Sequence, residues 1–158
     1  MAPLTAVEAL PAPSAEELDA LTDLWEASVR ASHDFLAEEE IDFYRPLVRR
    51  EALPAARLAV VRRDDGRFAA FIGTADDMLE MLFVAPDLRG QGAGRRLVEY
   101  AVAQGIRRVD VNEENAAARG FYERMGFRIA SRDALDPSGR LHPILHLTLD
   151  DTQQPAVR

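Results

Sequence analysis

The chain of 158 residues contains no cysteine and no lysine. Without cysteine it forms no disulfide, holds no thiolate metal site and has no cysteine nucleophile, which removes several enzyme classes at once. All 19 basic residues are arginine, so a nucleotide loop ending in Gly-Lys-Ser/Thr is excluded as well. Long apolar runs are also missing: none approaches the roughly 20 residues of a membrane span. The start, MAPLTAVEALPAPSAEE, lacks the basic leader and apolar core of a signal peptide, and a cytoplasmic protein is expected. With three scattered histidines, no metal centre is expected either. The formal charge of -8 repels nucleic-acid phosphates over most of the surface and is compatible with a cationic amine.

What is present reads as a single domain over residues 1–150, followed by a flexible tail at 151–158. Residues 3–9 suit a short strand. Ser14 and Glu17 form a capping-box pattern, after which Leu18, Leu21, Trp25 and Val29 recur at helical spacing. A second helix is expected from Ala37 to about Leu53, kinked or split at Pro46. The period then changes. Leu58–Val61, Phe68–Thr74 and Met78–Val84 read as three antiparallel strands, the first two joined by the turn Asp64-Asp65-Gly66. A helix from about Gly92 to Gln104 ends at Gly105, Ile106–Val111 forms a parallel strand after it, and a further helix starts near Asn115 and closes at Gly126. Two last strands follow, Phe127–Ser131 and Ile144–Leu149, and the apolar Ile144-Leu145 is explained equally by a dimer edge and by burial under a helix. Both monomer and homodimer remain open.

The most informative stretch is Met78 to Arg96, MLEMLFVAPDLRGQGAGRR. An apolar strand runs into Arg89-Gly90-Gln91-Gly92-Ala93-Gly94, where side chains are removed wherever a bulky group needs to approach, and a helix begins. Unpaired backbone N–H groups and the positive end of the helix dipole then point at one place, which is an anion site. A dinucleotide fingerprint would want glycine where Arg95 stands. Alone, the loop also reads as a plain glycine-rich turn.

A second segment narrows the choice: Asn115-Ala116-Ala117-Ala118-Arg119-Gly120-Phe121-Tyr122-Glu123-Arg124-Met125-Gly126-Phe127. On a helix Asn115, Ala118 and Tyr122 share one face and span ~10 Å, so an amide and a phenol flank small alanines. Phe121 and Met125 share the neighbouring face and read as core. Together the two segments resemble the GNAT superfamily of N-acetyltransferases. The loop matches its Arg/Gln-x-x-Gly-x-Gly/Ala signature at Arg89, Gly92 and Gly94, and the helix matches Asn-x-x-Ala-x-x-Phe-Tyr-x-x-x-Gly-Phe at Asn115, Ala118, Phe121, Tyr122, Gly126 and Phe127. The likeness is clearest from about Leu79 to Ile129.

The resemblance implies an α/β fold with a mixed, mostly antiparallel sheet flanked by helices, and acetyl transfer from acetyl-CoA, as co-substrate, to a primary amine by direct attack. The acceptor is a small molecule, a peptide N-terminus or a lysine. Its cofactor-binding residues are Gly90, Gln91, Gly92, Ala93, Gly94 and the flanking Arg89 and Arg95 for the pyrophosphate, the backbone of Leu82, Phe83 and Val84 for the pantetheine arm and acetyl carbonyl, and Asn115, which is equally a helix N-cap. Tyr122 takes the place of the acid that protonates the departing thiolate, and Glu80 that of a base, a role a water chain would fill as well. His33, with Phe35 beside it, stands in the connection that overhangs the acceptor. His142 and His146 read as satisfied sheet histidines rather than acceptor contacts. The rival reading is a non-catalytic acyl-CoA sensor, which would need neither Glu80 nor Tyr122.

Overall fold

A computed structural model describes residues 3–32 and 36–150. His33, Phe35 and the 151–158 tail lie outside the described residues. Helix α1 (Ala15–Ser32) starts where its capping box places it: the Ser14 hydroxyl accepts from the Glu17 N–H at 3.0 Å, and the Glu17 carboxylate accepts from the Ser14 N–H at 2.9 Å. Leu21, Trp25 and Val29, one per turn, are buried. A two-residue strand β1 (Glu8–Ala9) precedes it.

The second helix is shorter than the sequence suggests. Helix α2 (Glu38–Leu47) gives way to a widened π-type turn over Val48–Ala52 and then to α3 (Leu53–Ala55). Pro54 is the cause as much as Pro46. Lacking an N–H for the Arg50 carbonyl, Pro54 breaks the regular ladder, and the Leu53 N–H donates instead five residues back, to Val48.

Strands β2 (Arg57–Arg62), β3 (Phe68–Ala75) and β4 (Met78–Val84) form the antiparallel meander, with Gly66 at φ 92° in the first turn. A 3-10 turn (Pro86–Leu88) and the glycine loop lead to α4 (Ala93–Ala103), which buries Ala93, Leu97, Val98 and Ala101 and stops at Gly105, φ 105°. After it come β5 (Arg108–Asn112), α5 (Ala116–Arg124), β6 (Phe127–Asp133) and β7 (Ile144–Leu149). The seven strands make one sheet in the order β1-β2-β3-β4-β5-β7-β6, antiparallel except between β4 and β5. The architecture is the α/β, mostly antiparallel one expected. In β3, Ala69 to Thr74 are all buried, so the strand is covered on both faces, and α1 and α4 both pack on it.

Two features of the sheet position the site. The parallel register of β4 and β5 comprises only Met78↔Arg108 and Leu79↔Val109, after which the strands diverge. The second is the place of β7, hydrogen-bonded to β5 on one side and β6 on the other. Of the two readings of Ile144-Leu145 the buried one holds: both edges of β7 are used, Leu145 is buried, and the edge beyond it belongs to β6, where Arg128, Arg132 and Asp133 are exposed charges.

Helix α2 is tied down at the β5 end of the sheet. Tyr44 donates to Asp136 at 2.9 Å, and Arg140 lies over the Phe43 ring at 4.6 Å. His142 sits between Glu40 of α2 (2.5 Å) and Glu114 of the β5–α5 turn (2.8 Å).

Candidate active site

Where β4 and β5 part, a cleft of about 380 Å³ opens, walled by both strands and by the starts of α4 and α5. Along β4, the groups that face β3 remain paired, through Ile72↔Leu82, Phe71↔Phe83 and Ala70↔Val84. Those that faced β5 lose their partner past Leu79. Backbone N–H and C=O groups carry a cost when left dry, so a strand edge inside a cleft is suited to an extended polar ligand. The side chains alternate across this segment. Phe83 packs on Phe71, ring centroids 5.7 Å apart, while Leu82 and Val84 lie beside Gly94.

The glycine loop closes one end. Gly90 (φ 78°) and Gly92 (φ 88°) hold left-handed conformations that side chains resist. Gly92 is the N-cap of α4 and brings no side-chain cap, and the first helical bond is Arg96 N–H to the Gly92 carbonyl at 3.0 Å. The N–H groups of Ala93, Gly94 and Arg95 are those a helix cannot pair internally, which leaves them for an anion. A Cβ on Gly94 would stand 3.6 Å from Val84, 3.7 Å from Phe121 and 4.0 Å from Leu82, on the cleft wall itself. Gln91 Oε1 is buried without a hydrogen-bond partner among the described residues, an amide end available to a bound polar group. The loop therefore fits a phosphate-bearing arm.

The two arginines differ. Arg89 lines the cleft but is spoken for by α1, donating to the Ser28 carbonyl at 3.0 Å. Arg95 pairs with the exposed Glu99 at 3.2 Å and is not part of the cleft wall. Asn115 caps α5, its Oδ1 accepting from the Ala118 N–H at 3.0 Å, and also lines the cleft, so capping does not withdraw it from the wall.

Tyr122 reaches the same cleft from α5. It is buried against Phe121 and Phe127, ring centroids 5.1 and 5.8 Å away, and its hydroxyl has no hydrogen-bond partner among the described residues. Burial pushes its pKa well above the usual tyrosine range. Glu80 enters from β4, exposed at the cleft rim. Partial desolvation raises its pKa, repulsion by Asp110 and Asp76 adds to this, and Arg108 opposes it. The expected partition of α5 is corrected: Phe121, read as core, is half-buried and lines the cleft beside Gly94, while Tyr122 is the buried residue of the helix. Helix α5 packs on β5 and β6, and Tyr122 meets Phe127 of β6 edge to face.

Sequence reading missed three polar wall residues or gave them little weight. Ser28, buried on α1, left no signal among its helical neighbours. Asn112, the last residue of β5, lines the same wall as Asn115. For Asp110, alternation in Arg108-Val109-Asp110-Val111 places the aspartate opposite the buried valines but does not say whether that face meets solvent or a cleft.

Comparison with known proteins agrees with this geometry. The family model described as acetyltransferase (GNAT) domain matches residues 54–129. Peptidyl-lysine N-acetyltransferase YjaB of Salmonella typhimurium is 39% identical over 134 residues, covering 84% of this chain and 91% of that protein. The solution structure of apo-form YjaB from Escherichia coli superposes with a TM-score of 0.81 at 34% identity, over 92% of this chain and 97% of that one. The fold is also that of the PaiA N-acetyltransferase from Thermoplasma acidophilum in complex with coenzyme A, TM-score 0.69 at 18% identity over 92% of this chain and 99% of that one. With its glycine loop, splayed strands and phenol in one cleft, the chain belongs to the GNAT family and is an N-acetyltransferase.

Proposed function

We propose that the protein transfers the acetyl group of acetyl-CoA to the ε-amino group of a peptidyl lysine by direct attack. The divergence of β4 and β5 past Leu79 carries this reading, because it sets a free strand edge, a carboxylate and a phenol around one cleft whose end is an anion site. Two YjaB relatives named for peptidyl-lysine support the acceptor.

Each group then has one task. The glycine loop and the N-terminus of α4 hold the pyrophosphate of the donor. The β4 edge from Leu82 to Val84 aligns the arm and polarises the thioester carbonyl by hydrogen bonding. Glu80 takes a proton from the acceptor ammonium, directly or through water, and its raised pKa brings it nearer to that of the amine. The amine attacks the carbonyl carbon, the carbon–sulfur bond breaks, and Tyr122 gives its proton to the thiolate. Burial keeps the phenol protonated at every physiological pH, and the same dry surroundings make the leaving thiolate a stronger base than in water.

Steady-state kinetics with a lysine peptide and acetyl-CoA test this. Tyr122→Phe is expected to lower kcat about 100-fold with little change in KM for acetyl-CoA, and Glu80→Gln to lower kcat/KM and remove the acid limb of its pH profile. Unchanged kcat in Tyr122→Phe would remove the acid role, and a polyamine consumed much faster than any peptide would replace the acceptor.

A further inference from the structure

Behind Glu80, on the same face of the sheet, stands a row of titratable groups that crosses four strands. Leu79 and Val109 are the last paired residues of β4 and β5 and both are buried, so the next residues along, Glu80 and Asp110, share the opposite face, and both line the cleft. Asp110 is level with His146 of β7 in the antiparallel register, and its carboxylate lies 2.6 Å from His146 Nδ1. The other ring nitrogen, Nε2, lies 2.7 Å from Asp133 at the end of β6. With a carboxylate on each nitrogen, both must donate, which is possible only for the imidazolium. The ring therefore carries a positive charge fixed behind Asp110.

We infer that His146 is a positioning residue for acetyl transfer: as a cation clamped between Asp110 and Asp133, it holds the Asp110 carboxylate aimed and offsets its charge, and so limits the repulsion Asp110 exerts on Glu80 across the open strands. The inference rests on the reading of Glu80 as base. The charged groups facing Glu80 are Asp110 and Arg108 from β5 and Asp76 from the β3–β4 turn. Arg108 is itself engaged by Asp77, with Nε at 2.9 Å and Nη2 at 2.6 Å. Those facing His146 are Asp110 and Asp133, and their hydrogen bonds raise its pKa. Among the described residues Asp110 is thus the group that both lines the cleft and pairs with the histidine, and coupling between His146 and Glu80 passes through it.

The consequence has opposite signs for the two partners. His146→Gln removes the cation, leaves Asp110 less compensated and moves the Glu80 titration to higher pH. At a pH on the acid limb, kcat/KM falls about threefold relative to wild type. Asp110→Asn removes the repulsion and moves the titration to lower pH, raising kcat/KM relative to its own plateau at the same pH. His146→Arg keeps a permanent cation and leaves the limb where it is in wild type. Both positions lie on the half-open face, so the melting temperatures of the three variants should be similar.

The experiment is the pH profile of kcat/KM for a lysine peptide in these three variants, paired with carbon-13 NMR titration of the Glu80 carboxyl in the full-length proteins. The inference stands if the limb and the carboxyl titration move up in His146→Gln, down in Asp110→Asn and not at all in His146→Arg. It is overturned if His146→Gln leaves the Glu80 titration in place, or if both removals shift it the same way. An unchanged pH profile in Glu80→Gln refutes the base reading instead, and with it the catalytic consequence, whereas the NMR titration still reports whether His146 acts on Glu80.

Discussion

At the scale of single residues, Gly94 shows how little separates a turn from a binding site. It carries no positive φ, unlike Gly90 and Gly92, so its backbone would accept any residue. The wall formed by Leu82, Val84 and Phe121 is the constraint, since a Cβ there already touches all three. Larger groups have only the cleft to occupy, so the fold is spared and the overlap falls on a ligand lying there, at about 1–3 kcal/mol of its binding. Gly94→Val is therefore expected to raise KM for acetyl-CoA about tenfold or more while leaving the melting temperature nearly unchanged. A variant with wild-type KM would show that the donor does not pass this point. Such residues were legible from sequence because each removes or supplies a chemical group at a fixed offset: glycines before a helix, an amide and a phenol seven apart. Asp110 and Ser28 were not weighed as wall residues, since an aspartate in a short strand and a serine in a helix look the same whether they face solvent or a cleft.

Among elements, α2 is held by chemistry rather than by its own propensity. It buries only Ile41, contains Pro46, and ends in a π turn. Its attachment to the loop between β6 and β7 runs through Tyr44, Phe43 and above all Glu40, which meets His142. Glu114 and Glu40 hold the His142 pKa above its ordinary value. The stabilisation this adds is complete below the unfolded histidine value of ~6.5 and fades as pH rises through the higher folded value. Glu40, whose pKa is lowered by the Ala37 N–H and by His142, contributes above the carboxylate range and loses its share as pH falls. The clamp is thus firmest between these two titrations. Hydrogen exchange of α2 amides, corrected for intrinsic rates, is expected to accelerate as pH is raised from mildly acidic to alkaline, and His142→Phe to exchange faster at mildly acidic pH and lose most of that dependence. A parallel response of wild type and variant would assign the docking to Tyr44 and Phe43. None of this was legible, because the contacts join residues about a hundred positions apart. Local patterns did give α1, α4 and α5, whose caps and apolar stripes lie within the elements themselves. They were silent on the splay of β4 from β5, since the number of rungs a parallel pair keeps is not encoded in either strand alone.

For the whole molecule, the missing lysines acquire a meaning that composition alone did not have. An enzyme that acetylates lysine side chains ordinarily offers its own surface as a competing substrate. If peptidyl lysine is the acceptor, as proposed, this chain avoids that competition, because all its Lys/Arg positions are arginine, whose guanidinium stays protonated at any working pH and is no nucleophile. Prolonged incubation with acetyl-CoA is expected to leave every side chain of the protein unmodified by intact mass spectrometry, apart from the N-terminal amine. Mass additions that map to internal peptides would contradict that. Fold class and catalytic family were legible at this scale because the glycine loop and the Asn115 to Phe127 segment stand in the right order with a strand between them.

The order of the sheet also sets a sequence of events in assembly. β5 and β6 never touch as neighbours; each waits for β7 to come between them, and β5 meanwhile has two rungs to β4 as its sole anchorage in the sheet. The half of the cleft that carries Asp110, Asn115 and Tyr122 consequently consolidates late, when residues 144–149 thread into the gap, while the meander of β2, β3 and β4 needs only local loop closures. During synthesis the chain would carry β4 early and Tyr122 unsettled until that insertion, so the cleft is completed by a strand that contributes none of its wall residues.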